Sequence, residues 1–482
     1  MKRLNKFSIE GFLSNSRKVL LKGVQAKSRY QELLDSVRYE LNKEFENSSD
    51  EVKSQRLDRE KRAIIGEEDD VNYFKDRISK ILTDKNLLNE WYPSYYPDLI
   101  NAIFSDLYGL TGIAPWAYDW TKEYKESSSA KLIGDRLYCL IKGKSVLQEQ
   151  RISTVRRGQL TDALLMASPK ERKESGFHEV YLHNGIRVTI FAGEHCKPGE
   201  DIMVFRKYLL SDLSFEALAS FGTFPSEAIP LFKSMCEIGF NVVFAGQVRS
   251  GKTTFLQTWQ SYEDPCLEGV TVATDPETNW AHILPNAPIM QLVADGKDLS
   301  RIEKSLKRSD ADYVILEEMR DAVSYNLFLG ITSLGTQRSK GTIHDNNALN
   351  IPYKMATAIV TECGGDEDAI ISQLYTNINY VFELYQVPEN KARKRLKGIV
   401  EYRYDPIKNQ VSAHRICKYD PKSDKWLWKY DIGADKEELA LGYCESLENM
   451  KKTLRHLADN SPLEGETVVY PAYYKGNNIQ KT

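Results

Sequence analysis

The sequence predicts an α/β architecture, and three features point to it. From about residue 220 to about 420, apolar strand cores alternate with helical spans, the pattern of a sheet with crossover helices. Within that stretch the apolar run Phe240-Asn241-Val242-Val243-Phe244-Ala245 leads directly into a glycine-bounded loop, and Phe255-Leu256 then start the buried face of a helix. Earlier, Val180-Tyr181-Leu182 and Ile186 to Phe191 flank His183-Asn184-Gly185, and Asn-Gly between β-branched or aromatic runs is a strong hairpin signal.

A chain of 482 residues is too long for one core, and a prior of roughly 100–200 residues per domain predicts about three folded units. Hydrophobic residues at 41% and charged residues at 28% are the mix of a globular chain with a sizeable core. No apolar stretch approaches the ~18 residues that cross a bilayer, and the basic start lacks the apolar run of a signal peptide, so the expected location is the cytoplasm. The seven cysteines are scattered without a Cys-x-x-Cys pair, which argues against a zinc knuckle and for reduced, structural thiols. A net charge of -3 gives no global footprint for nucleic acid, so direct nucleic-acid binding is not expected.

The expected organisation is a helical extension over 1–92, a smaller α/β domain over 93–215, a larger α/β domain over 216–420 and a tail over 421–482. In the extension, Tyr30, Leu33, Leu34, Val37, Leu41 and Phe45 follow helical spacing, and the charge-dense stretch Asn47 to Arg62 reads as a solvated helix or linker. Before residue 30, Lys2, Arg3, Lys6, Arg17, Lys18, Lys22, Lys27 and Arg29 are opposed only by Glu10, with apolar residues interleaved. Such a segment either sits on an anionic membrane surface or packs on protein, and packing is the better-supported reading. The prolines of Trp91 to Pro97 break helix, Leu99 to Leu107 restores it, and short strands are expected at Val411 to Tyr419 and Trp426 to Tyr430, before a helix and an irregular tail.

Gly246-Gln247-Val248-Arg249-Ser250-Gly251-Lys252-Thr253 has the full Walker A spacing in the right strand-to-helix context. The chemistry needs that order. Backbone N–H groups of the loop and helix start, through Thr254, surround phosphates; Lys252 reaches the β and γ phosphates; Thr253 offers its hydroxyl to Mg²⁺. No Asn-Lys-x-Asp guanine-reading segment follows, which favours ATP. Asp312 to Leu316 is an apolar run ending in Glu317-Glu318, and Glu318 is the preferred catalytic carboxylate and Mg²⁺ ligand. Asp275 and Glu277, after the run Val270 to Ala273, are a second acidic strand end aimed at metal and water, with a simple turn as the competing reading. His344 alone reads as an ordinary histidine; its place beyond the acidic strand end makes it a γ-phosphate contact.

Together these segments resemble the secretion-ATPase superfamily of type II and type IV secretion, conjugation, and type IV or Tad pili. The resemblance runs from about Asp98 to Tyr404, with Walker A at Gly246 to Thr253, an aspartate box at Asp275 to Glu277, Walker B at Arg308 to Arg320 and a histidine box at Gly335 to His344. Asn184 to Val188 and Asp201 to Lys207 resemble the family's upstream hairpin and Arg-Lys strand. The resemblance implies a RecA-like P-loop ATPase domain preceded by a smaller α/β domain whose arginines, here Arg187 and Arg206, reach ATP bound between the two. It further implies a homo-hexameric ring working on an integral membrane platform protein; a peripheral contact with the anionic inner face of the membrane is the alternative that the basic N-terminal segment leaves open. Val248-Arg249, Ala311, Glu317 and Thr336 depart from the family pattern. A nucleic-acid motor and an ATP-gated scaffold without turnover stay open as alternatives, as does the choice among conjugation, secretion and pilus machines.

Overall fold

The computed structural model describes residues 9–43, 48–167, 176–207, 213–274, 278, 280–294, 296–465 and 467–471, without the side chains of 9–25, 194, 282, 296, 297 and 471. It forms two compact units, residues 1–209 and 210–482. Phe45 and most of the basic N-terminal segment's side chains fall outside the described residues. Among the described residues no helix is long and apolar enough to cross a membrane.

In the first unit, helices α1 (Ile9–Lys43), α2 (Asp50–Ile65), α3 (Glu68–Asp84) and α4 (Leu99–Tyr108) precede the short turns α5 (Ala114–Ala117) and α6 (Lys122–Lys125). Tyr30, Leu33, Leu34, Val37 and Leu41 form the buried stripe of α1, packed with Phe74, Ile78 and Ile103 of α3 and α4. The charge-dense stretch is a helix rather than a linker. Its Arg59 and Arg62 hold the buried Asp70 of α3 at 3.0 and 2.6 Å, so one side of α2 is an ion-paired seam.

Strands β1 (Ser129–Ile133), β2 (Arg136–Ile141) and β3 (Lys144–Arg151), helix α7 (Thr154–Ala167), and strands β4 (Phe177–Tyr181), β5 (Arg187–Phe191) and β6 (Ile202–Arg206) complete the unit. The six strands form an antiparallel sheet in the order β3-β2-β1-β6-β5-β4. The Asn-Gly hairpin forms as expected: Tyr181 pairs with Arg187, Asn184 Oδ1 accepts the Ile186 N–H at 3.3 Å, and Gly185 takes φ 79°. The two-residue period sends Val188, Ile190, Met203 and Phe205 into the core, leaving Arg187 and Arg206 on the opposite face.

The second unit begins with α8 (Phe215–Ser220) and α9 (Ile229–Ile238), then alternates strand and helix: β7 (Val242–Gly246), α10 (Lys252–Gln260), β8 (Gly269–Ala273), α11 (Trp280–Ile283), β9 (Ile289–Val293), α12 (Gly296–Leu306), β10 (Tyr313–Met319), α13 (Ala322–Thr332) and β11 (Lys340–Ile343). Helices α14 (Ile351–Cys363) and α15 (Glu367–Asn377) lead to β12 (Tyr380–Gln386), β13 (Lys394–Asp405), β14 (Gln410–Asp420) and β15 (Lys425–Trp428). Helices α16 (Ala434–Leu439) and α17 (Cys444–Asn460) and strand β16 (Thr467–Pro471) end the unit.

The ten-stranded sheet runs β15-β14-β13-β12-β7-β11-β10-β8-β9, with β16 on β14. Strands β7 to β12 are parallel and the rest antiparallel. Residues 467–471, expected to be irregular, pair along Gln410–His414 instead. Both faces are covered, as parallel strands require. Val243 and Ala245 of β7 enter one core with α13 to α15, while Val242 and Phe244 enter the other with α9, α10 and α17. The strand that carries the glycine-bounded loop lies between β12 and β11, and ligands of open parallel sheets bind in the crevice at such carboxyl ends.

Candidate active site

The loop after β7 is shaped by its backbone. Gly246 has φ 153°, Arg249 65° and Gly251 95°. A Cβ on Gly246 would lie 2.1 Å from the Leu384 carbonyl oxygen of β12, so no side chain fits there. Left-handed residues in such a loop turn successive N–H groups inward and make an anion-binding concavity. Gly251 is the N-cap of α10, whose first N–H groups have no intrahelical partner and carry the positive end of the helix dipole. Phe255 and Trp259 anchor this helix, with the Phe255 ring 5.5 Å from Phe244 and 5.7 Å from Phe382.

From the start of α10, buried Lys252 donates through Nζ to the carbonyls of Gly246 at 3.1 Å and Gln247 at 3.0 Å, and lies 3.3 Å from His344 Nδ1. His344 Nε2 meets Glu318 Oε1 at 2.7 Å, and Arg320 donates to Glu318 Oε2 at 2.5 Å. With Nε2–H donating to Glu318, Nδ1 presents its lone pair to the ammonium. The sheet order builds this chain of contacts: β7 lies beside β11 and β11 beside β10, so Lys252, His344 and Glu318 emerge at one edge. Burial alone would raise the Glu318 carboxyl, but the hydrogen bonds from His344 and Arg320 outweigh it and hold it down at about 2. An open cleft of about 400 Å³ lined by Gln247, Val248, His344, Asp345 and Asn346 adjoins this group. Thr253 and Thr254 are half-buried in the first turn of α10, while Ser250 is buried in the loop.

The positions that depart from the resembled pattern resolve differently. Glu317 alternates to the other face of β10, where its carboxylate accepts Trp280 Nε1–H at 2.7 Å and its carbonyl accepts the Thr342 hydroxyl. Glu317 therefore braces the strand that presents Glu318. The Thr336 carbonyl accepts Asn241 Nδ2–H at 3.3 Å, at the end of β7 away from the loop, so the missing histidine there leaves the cleft untouched. Asp275 and Glu277 lie outside the described residues.

Sequence reasoning missed the groups that hold the segment after His344. Lys354 donates to the His344 carbonyl at 3.2 Å and to Asp345 at 2.9 Å, and Lys397 to the Asn346 carbonyl at 2.7 Å. Buried Glu383 accepts Ala348 N–H at 2.9 Å and pairs with Arg415 at 2.6 Å. A carboxylate inside the apolar run Tyr380 to Leu384 was the available signal, because a buried charge must be paired. In the first unit, Arg187 and Arg206 are direct cross-strand partners on one face of the sheet, both half-buried.

Comparison with known proteins gives a partial frame. No family model matches the chain. Two uncharacterized proteins of Methanocaldococcus jannaschii match at 22% identity: one over 280 residues, 54% of this chain and 98% of the relative, the other over 254 residues, 51% and 43%. The chain thus spans less than half the length of the second relative. Among solved structures, the Legionella pneumophila ATPase DotB aligns over 72% of this chain and 88% of its own at 14% identity and TM-score 0.45. The pilus retraction motor PilT with bound ADP aligns over 70% and 90% at 15% identity and TM-score 0.42. The VirB11 ATPase of the Brucella suis type IV secretion system, in complex with sulphate, aligns over 61% and 95% at 17% identity and TM-score 0.32. Two of these proteins are ATPases and one is a pilus motor.

Proposed function

We propose that this chain is a cytoplasmic ATP-hydrolysing motor of the secretion-ATPase kind, assembled as a homo-hexameric ring that drives a type IV secretion, conjugation or pilus-assembly machine through a membrane platform protein. The observation that carries the catalytic part is the convergence of the Walker A loop, Lys252, His344 and Glu318 at one carboxyl edge of the parallel sheet.

In this reading the loop N–H groups and Lys252 bind the β and γ phosphates, and Lys252 exchanges its contacts to Gly246 and Gln247 for phosphate oxygens. Mg²⁺ is a fitting partner for the donor set, since it takes one or two protein oxygens plus phosphates and water, and the site offers the Thr253 hydroxyl and a Glu318 carboxylate held ionised. When bound, the ion neutralises charge on the transferring phosphoryl group. Glu318 orients the water that attacks the γ phosphorus; the bond to the ADP oxygen breaks, giving ADP, inorganic phosphate and a proton released to solvent. His344 bridges Lys252 and Glu318, so loss of the γ phosphate changes the contacts of both. Arg187 and Arg206 supply further charge to the phosphates, as planar, permanently charged forks suited to that task. Asp275 and Glu277 belong to the same proposed site as metal and water ligands.

Phosphate release by the full chain, measured against protein concentration with ATP and Mg²⁺, tests the proposal. Turnover per chain should rise as rings assemble. Tight ATP binding without phosphate release would identify the nucleotide-gated scaffold instead, and turnover that requires DNA and falls steeply with salt would identify a nucleic-acid motor.

A further inference from the structure

The cleft has a second cationic wall. β12 lies beside β7 on the side opposite β11, with Gly246 in register with Leu384, and β13 starts again at Lys394 after the hairpin 387–393. The hairpin is closed by the Val387 N–H bond to the Arg393 carbonyl, 3.1 Å, and by Gln386 Nε2–H to the Lys391 carbonyl, 2.7 Å. Lys394 leans from it onto the phosphate loop: a Cβ on Gly251 would sit 3.5 Å from Lys394 Cγ. Its ammonium donates to the Lys391 carbonyl at 2.5 Å and stands in no ion pair with a described carboxylate. No motif of the sequence includes this lysine, and its aliphatic stem stands about one methyl group's space from the glycine that caps α10.

We propose that Lys394 is a second nucleotide-binding lysine, which engages the phosphates common to ATP and ADP from the side opposite His344 and Glu318. The inference rests on the ATPase reading of the same loop. The geometry fixes the side. With the terminal phosphate toward Glu318 on the β10 side, the remaining phosphates extend in this proposal toward β12 and β13, the side that carries Lys394. The electrostatics fit an anion as the missing partner. Burial, and then the charge of Arg249 in the loop, push the Lys394 ammonium down to about 8. Arg249 is the charge acting from the loop, and the lysine's own hairpin carries Lys391, Arg393 and Glu389. A bound phosphate restores the ammonium. Nucleotide binding above that pH therefore takes up a proton at Lys394 Nζ.

The test is nucleotide affinity of the full chain across about pH 7 to 9.5, with ADP and ATP·Mg²⁺ as probes, for the native protein, Lys394→Gln, Lys394→Arg and Lys252→Ala. The native Kd should weaken by up to about tenfold per pH unit above 8, as one proton must be gained. Lys394→Gln should bind ADP and ATP about tenfold more weakly at neutral pH and lose the slope, because one charge-assisted hydrogen bond is gone. Lys394→Arg should keep affinity and flatten the slope, since its charge is permanent. Unchanged affinity and slope in Lys394→Gln, or an effect on ATP but not ADP, overturns the proposal while a weakened Lys252→Ala leaves the ATPase reading standing. A native chain that binds neither nucleotide overturns both.

Discussion

The two units handle their cations in different ways. In the antiparallel sheet of the first, Arg187 and Arg206 are 19 residues apart in the chain and sit opposite each other by strand register alone. In the parallel part of the second unit's sheet, Lys252 opens the helix after β7, Glu318 lies near the end of β10 and His344 follows β11, and they meet because parallel strands end at the same edge. Pairing brings like residues together on a face. Parallel winding gathers unlike residues, a cation, an imidazole and a carboxylate, into one hydrogen-bonded row, which has the variety that the proposed phosphoryl chemistry needs.

Lys252 separates the two units most strongly. Lys252→Ala should lower turnover by about 10⁴-fold and weaken nucleotide binding, since the charge acts in both ground and transition states; near-normal phosphate release would remove the site. Glu318→Gln should cost about 10³-fold in kcat with ATP affinity within a few-fold, because the phosphate cradle is intact. An equal loss of binding would make Glu318 structural. For the first unit, Arg187→Ala or Arg206→Ala should each lower turnover about 10²-fold while ADP binding holds, the scale of one lost transition-state donor. Unchanged turnover in both variants would confine the chemistry to the parallel sheet.

The strand-to-helix loop at Gly246 to Thr253 was legible because its backbone geometry depends on local spacing, and the Asn-Gly hairpin and the α1 stripe were legible for the same reason. Glu318 could be picked from a strand's end, but the neighbouring Glu317 looked like a defect in a motif. Its role depends on Trp280, 37 residues earlier, and no local rule connects them. Lys394 was invisible, since the stem's approach to Gly251 crosses 143 residues and appears only when β12 lies beside β7. Acid titration sharpens the Glu318 reading. A carboxyl held near 2 against an ordinary 4.5 adds stability that is present above about pH 4.5 and lost as pH falls toward 2. Urea unfolding at pH 6 and near pH 2 should show the native protein ahead of Glu318→Gln at the first pH and level with it at the second.

The smallest expected effect lies at Arg249, where the second unit places a cation in the loop itself rather than on a sheet. At φ 65° this residue occupies the left-handed region, which costs a side chain on the order of 1 kcal/mol that glycine avoids. Glycine also loosens the unfolded chain, so Arg249→Gly should change stability by only about 0.5 kcal/mol in either direction. Arg249→Ala retains the strain and loses the charge; the Gly-minus-Ala difference in unfolding free energy therefore isolates the backbone term and should favour glycine by about 0.5–1 kcal/mol. Both variants share one further consequence. Removing the Arg249 charge takes away the second cause that depresses Lys394, leaving burial as the first, so the pH above which ADP binding weakens should move upward in both, and by the same amount. A shift in the glycine variant alone would mean that loop conformation, not charge, sets the lysine's titration.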